Sequence, residues 1–412
     1  MILVKAQQIS AGEDCLCFRA SFAGRDLRLD LFRGLGLWVI FLDHIPFNFV
    51  SWVTFRNYGF SDAAEMFVFI SGYTAGFVYG PAMLQGRAIV ATGRLLKRCW
   101  QLYVTHVLLV VIFIAEIAYV GGKFDNPLFA EEFNVFGFLR HPDVILTQAL
   151  ALKFRPAGLD VLPLYIVLVL ACPAILWALL RRPGWTLLAS ALLYVLARRF
   201  DWNFPSFPSG QWFFNPLAWQ LLFVFGIWCA VGGAGKLGPW IEAPVIRAAA
   251  WVYLVFAFLI VMTWHVPQWA HFVPKWLAYV MYPIDKSNLH VLRLIHFLAL
   301  AAIIIQFVPR DWWLLRRPVL QPVVLCGQHS LALFCFGVFL SFIGHIILVE
   351  ISNVLAVQFL VSAGGILLMV AAAWLMTRYE RAEGRGPGAG DFAVQEAANR
   401  LDDGEPDEAH VS

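Results

Sequence analysis

Long apolar runs alternate with short polar or mixed stretches through most of this chain. The runs fall at 31–52, 64–84, 101–120, 161–180, 186–200, 212–232, 246–264, 291–308, 329–349 and 355–376. Most approach the ~20 residues that cross hydrocarbon as a helix. The pattern predicts an all-α fold: a polytopic membrane helix bundle with about ten transmembrane helices. The run at 186–200 is short, and the neighbourhood of 144–153 suits a re-entrant or interfacial helix.

Charge placement orients the bundle. With the N-terminus in the cytoplasm, the cytoplasmic loops hold Arg87, Arg94, Lys97 and Arg98, then Arg181 and Arg182, then Lys236 and Arg247, then Arg310, Arg316 and Arg317. The last helix ends near Arg378, Arg381 and Arg385. This follows the positive-inside rule, and an even number of spans puts both termini in the cytoplasm. The opposite loops, 121–160, 201–211 and 265–290, are longer and carry both signs with many aromatics. Three segments result. Residues 1–28 form a cytoplasmic N-terminal segment, 29–380 the transmembrane domain, and 381–412 a disordered acidic tail poor in large apolar side chains.

Composition agrees. Hydrophobic residues make up 60% of the 412 and charged ones 14%, against about a quarter charged in a soluble domain. The chain is therefore expected to reside in a lipid bilayer, with no nucleic-acid partner. Five of the seven cysteines sit in or beside apolar runs, where Cys acts as a small hydrophobe. Residues 1–24 lack the pattern of a signal peptide, so insertion is expected to rely on the first transmembrane helix.

A few ionisable groups stand out against this background. Asp30, Arg33, Asp43 and His44 lie in or beside the first run. Eleven positions at 100° each return a side chain to within roughly 20° of its start, about 16 Å along the axis. Arg33 and His44 therefore share one face. Intramembrane ionisable groups are costly and often functional, and histidine suits general-base work near neutral pH. The plain alternatives are a snorkelling anchor for Arg33 and a helix-to-helix hydrogen bond for His44. Asp43 points about 100° away and suits the mouth of the same cavity.

Arg56, Asn57, Ser61, Asp62 and Glu65 follow between the first two runs. Asp62-Ala-Ala-Glu65 reads as a capping box, and such a cap also places Glu65 toward the His44 end. Ser71-Gly72 suits a backbone hydrogen bond and close helix packing. Arg94, Lys97 and Arg98 precede the third run. They either orient the helix or hold a phosphate-rich donor. Arg293 and His296 share a face at i, i+3; an interfacial or satisfied histidine is the alternative. No His, Cys and Glu set has zinc-like spacing, so no metal is expected.

The segments Arg28-Leu-Asp-Leu-Phe-Arg33-Gly34, Asp43-His44 and Gly59-Phe-Ser-Asp-Ala-Ala-Glu-Met-Phe-Val-Phe-Ile-Ser-Gly-Tyr73 resemble the OpgC family. So do Leu162-Pro-Leu-Tyr165, Asp285-Lys-Ser-Asn-Leu289 and Gly327-Gln-His-Ser-Leu331. The resemblance spans roughly 25–380. That family belongs to the wider acyltransferase 3 group of membrane proteins, in which an arginine, ten residues and a histidine mark the first helix. Arg33 and His44 fit that spacing.

The resemblance implies a multi-pass bacterial inner-membrane protein that succinylates periplasmic glucans. The donor would be a cytoplasmic acyl-CoA, succinyl-CoA in that family, with no tightly bound cofactor; the acceptor would be a periplasmic glucan or related glycan. It makes His44 catalytic, as a general base or as a covalent carrier of the acyl group; in the mechanism expected from this, Asp62 or Glu65 orients the imidazole and Arg33, Arg94 and Arg98 hold the donor's phosphates. Arg56 is the candidate to hold a second carboxylate. Asp43, Asn57, Ser61, Ser71, Arg293 and His296 complete the expected binding set. Trp202, Trp212, Trp264, Trp269 and Trp276 suit either sugar stacking or an interfacial aromatic belt. The rival class is a transporter or flippase of an anionic or glycan substrate, with no covalent chemistry.

Overall fold

Asp26 opens the first helix by accepting the amide of Arg28 at 3.1 Å, and α1 follows over Leu27–Asp43. In the computed structural model, residues 26–124, 141–156 and 158–384 are described. The expected N-terminal segment and acidic tail lie largely outside them. The run at 31–52 predicts a helix continuing past residue 44. It stops earlier, with His44 as C-cap. Pro46 explains the stop, since it carries no N–H and disfavours helical geometry at Ile45. The chain then makes two 3₁₀ turns, Phe49–Val53 and Phe55–Asn57.

Helices fill the remaining apolar runs, with short helices between some of them. They are α2 (Ala63–Leu84), α3 (Ala88–Phe124), α4 (Pro142–Leu150), α5 (Val161–Arg181) and α6 (Pro183–Arg199). Next come α7 (Pro216–Trp228), α8 (Ala234–Glu242), α9 (Pro244–His265), α10 (Lys275–Met281) and α11 (Val291–Phe307). The chain ends in α12 (Gln321–Gln328), α13 (Ser330–Ile346) and α14 (Leu355–Ala382). A π-helical turn at Cys229–Gly233 joins α7 to α8, with Gly232 at φ +109°. Helix α4 occupies the place expected for an interfacial or re-entrant segment. Among the described residues there is no β-strand, only one isolated bridge between Pro205 and Gln211.

Seven helical stretches among the described residues are long and apolar enough to cross a membrane. The other three expected spans are α1, α6 and α11, each 17 residues long. At 1.5 Å per residue they reach about 25 Å, somewhat short of a ~30 Å hydrocarbon core.

Two glycine-mediated seams place the site. A Cβ on Gly327 would lie 1.8 Å from the Asp30 carbonyl oxygen, and one on Gly34 would lie 1.9 Å from that of Val323. Helices α12 and α1 therefore meet backbone to backbone, the close approach that small residues permit. The second seam joins α2 to α7 at Gly72, Gly76 and Gly226; a Cβ on Gly72 would sit 2.1 Å from the Phe223 carbonyl oxygen. Farther along α1, Phe41 fills the space left by Gly365 of α14. These contacts hold α1 near the middle of the bundle, against α2 on one side and against α12, α13 and α14 on the other.

Candidate functional site

Where α1 ends, the backbone N–H of His44 reaches the Ile40 carbonyl at 3.0 Å. The ring Nδ1 reaches the same oxygen at 2.7 Å. A carbonyl only accepts, so Nδ1 carries the proton and Nε2 keeps its lone pair. The Cδ2–Nε2 edge of the fixed ring lies beside Gly158, at φ +88°; a Cβ there would lie 3.4 Å from Cδ2 and 3.9 Å from Nε2. A general base needs this arrangement: one nitrogen held, the other unprotonated.

Two ion-pair groups flank the ring. In the first, Asp43 accepts the Thr54 hydroxyl at 2.8 Å and pairs with the Arg56 Nε at 3.3 Å. Arg56 is 44% exposed, the most open of these charges. Asn57 ties the same turn together by donating to the Ser51 carbonyl at 2.8 Å.

The second group grows from the capping box. Asp62 accepts the Ala64 amide at 2.8 Å, and Glu65 accepts the Asp62 amide at 2.9 Å. The same two carboxylates also receive cations. Arg293 donates to Glu65 at 2.8 Å and to Asp62 at 3.1 Å, and Lys286 reaches Asp62 at 2.6 Å. Burial works to raise the Asp62 carboxyl, but Lys286 and then Arg293 hold it below the ordinary carboxylate range. Lys286, Arg56 and Asp62 are close enough to act electrostatically on His44. The cap and the site are thus one structure.

The Asp285–Leu289 turn aims Lys286. The Asp285 carboxylate accepts the amides of Ser287 at 2.8 Å and Asn288 at 3.0 Å. Asn215, the cap of α7, donates to the Asn288 side chain at 2.8 Å, and the Trp219 indole donates to the Ser287 carbonyl at 3.0 Å. A polar turn of this kind is hard to position from sequence, because its partners lie on a helix some seventy residues away.

The other expected residues are placed as follows. Ser61 meets Nδ1 of His296 at 2.7 Å, with both residues buried. The Ser61 amide also points at that nitrogen, at 3.3 Å, so Nδ1 accepts and His296 braces the start of α2. Ser71 lies half-buried on α2, nine residues beyond Asp62 and roughly 13 Å along the helix. Arg33 donates to the Thr74 hydroxyl of α2 and lies 3.6 Å from Asp30. Arg94 is exposed and Arg98 half-exposed near the start of α3. Among the described residues, no group of His, Cys, Asp and Glu could hold a metal.

Sequence reasoning missed Lys286 as a member of the cluster. It also missed the 151–160 segment, which delivers Gly158. There Arg155 pairs with Asp160 at 2.9 Å, donates to the Leu152 carbonyl at 2.9 Å and stacks 4.5 Å over Trp212. His106 on α3 was missed as well. It is fully buried, and neither ring nitrogen has a hydrogen-bond partner among the described residues. It sits within the apolar run at 101–120 as a single histidine with no motif around it.

A family model described as OpgC protein matches residues 25–381. The chain belongs to the OpgC family, and membership implies a transferase of the glucan succinyltransferase type. No curated protein and no solved structure gives a significant match.

Proposed function

We propose that this OpgC-family chain is a membrane O-acyltransferase of the acyltransferase 3 type. It moves an acyl group, succinyl by family likeness, from a cytoplasmic acyl-CoA to a hydroxyl of a periplasmic glucan. The observation that carries the reading is the His44 ring, held through Nδ1, with a free Nε2 beside Gly158 and charged groups on either side. In this scheme Nε2 takes the proton of the glucan hydroxyl. That oxygen bonds to the thioester carbonyl carbon, the C–S bond breaks, and the leaving thiolate recovers the proton from the imidazolium.

The donor's phosphates lie at the Arg33 end, with Arg94 exposed and Arg98 half-exposed there. The ~16 Å between Arg33 and His44 along the helix is a span an extended pantetheine arm can cover. Arg56, half-open beside Asp43, faces the second carboxylate of the acyl group. Lys286 and Arg293 fix Asp62 and Glu65 and so keep the wall of the site rigid.

The test is His44→Ala in the full chain. Transfer from succinyl-CoA to glucan should fall by about 10²–10⁴-fold, the usual worth of a general base, with membrane insertion and thermal stability retained. Mass spectrometry of periplasmic glucans reads the outcome. Wild-type succinylation in that variant would remove His44 from the chemistry.

A further inference from the structure

A cavity of about 580 Å³ lies between α12 and α14, lined by Arg316, Gln321, Leu325, Leu367, Val370 and Trp374 among others. None of the His44 cluster takes part. The cavity belongs to the opposite end of the bundle, since Leu325 is two residues from Gly327, which touches the Asp30 backbone. Its walls are mostly apolar, and its mouth is basic. Arg316 lines it directly, and Arg378 stacks 4.9 Å over the Trp374 ring that lines it. Neither arginine has a carboxylate partner among the described residues.

We infer that this groove is a binding site for an anionic phospholipid, with the phosphate between Arg316 and Arg378 and one acyl chain along Leu325, Leu367 and Val370. Three features support that occupant over a soluble one. The groove opens on α14, whose exposed face carries Leu360, Leu367, Leu368 and Leu375, the surface a bilayer would cover. Two unpaired arginines at the polar end match a phosphate by charge and by geometry. Basic pockets between helices on the positively charged membrane side are where anionic head groups bind. The inference is independent of acyl transfer.

The test uses the full-length protein, extracted in mild detergent and assayed by native mass spectrometry with added phosphatidylglycerol or phosphatidylcholine. Wild type should retain phosphatidylglycerol preferentially. The double variant Arg316→Gln/Arg378→Gln should bind it roughly thirtyfold more weakly, taking about 1 kcal/mol per arginine. Ala371→Trp keeps both charges, fills the groove from an exposed position, and should also lose the lipid. Equal retention of the two lipids by wild type, or unchanged phosphatidylglycerol binding in both variants, would overturn the site. Displacement of the lipid by free coenzyme A would overturn it too and give the arginines to the donor. Loss of a wild-type dimer in Ala371→Trp without loss of lipid would make the groove a contact between copies instead.

Discussion

The two ends of α1 differ in where their charges find partners. At the His44 end, Asp43 with Arg56, and Asp62 and Glu65 with Lys286 and Arg293, are matched across loops and helices distant in sequence. Glu65 is fully buried and Arg293 nearly so. At the other end, Arg28 and Arg33 pair with the buried Asp26 and Asp30 of their own helix turn, while on α3 Arg94 and Lys97 stand exposed and Arg98 half-exposed. A buried pair fixes geometry, because losing one partner strands the other in a medium that rejects it. An exposed cation is screened and mobile; it attracts a ligand and orients a helix without holding the fold. The His44 end is thus built for position, and the exposed cations at the start of α3 for attraction.

The sharpest way to break this contrast is Arg293→Ala. It leaves Glu65 buried without its cation and should cost about 3–5 kcal/mol, read as a large drop in the detergent melting temperature. If the variant melts like wild type, the pairing at the His44 end is not structural. Next in size is Gly327→Ala, whose added Cβ would meet the Asp30 backbone at 1.8 Å. Neither backbone can yield cheaply, and overpacking of this kind costs about 1–3 kcal/mol. It should also move Arg33, three residues from Asp30, so impaired use of the donor should accompany the lost stability.

Arg94→Gln with Arg98→Gln should change stability by less than about 0.5 kcal/mol, as exposed substitutions do. It should raise KM for acyl-CoA while leaving kcat nearly unchanged; a fall in kcat at constant KM would contradict a binding role. The smallest effect concerns pH. The Asp62 carboxyl is depressed in the folded protein, so its pairing is fully present above the unfolded value of about 3.9 and is lost only as pH falls through the lower folded value. Protonation of Asp62 itself should therefore add no slope to the stability difference between wild type and Asp62→Asn from pH 5 to 8. A slope in that window would mean that another group titrates with the cluster.

Much of this was legible from residue order alone. Apolar run length depends on local composition, and the helices follow it: the expected spans at 64–84 and 161–180 are α2 and α5 nearly to the residue. The capping box at Asp62 and Glu65 is a four-residue signal and formed as read. The eleven-residue spacing of Arg33 and His44 depends only on helix rise; Arg33 lies within α1 and His44 caps its end. The end of α1 was overextended, because hydrophobicity continues through Pro46 while the backbone cannot.

What tertiary structure alone decided is the company these residues keep. No local pattern says that Lys286 and Arg293 close on Asp62 and Glu65 from more than two hundred residues away, or that a glycine after α4 lies beside the His44 ring. Nor does composition separate Arg33, tied to Thr74 inside the bundle, from Arg94, exposed on its flank. Sequence determines which segments leave water, because that free energy is a sum over local side chains. Which face of each segment meets which neighbour depends on glycine seams and buried charge pairs, whose energies exist only once distant helices touch.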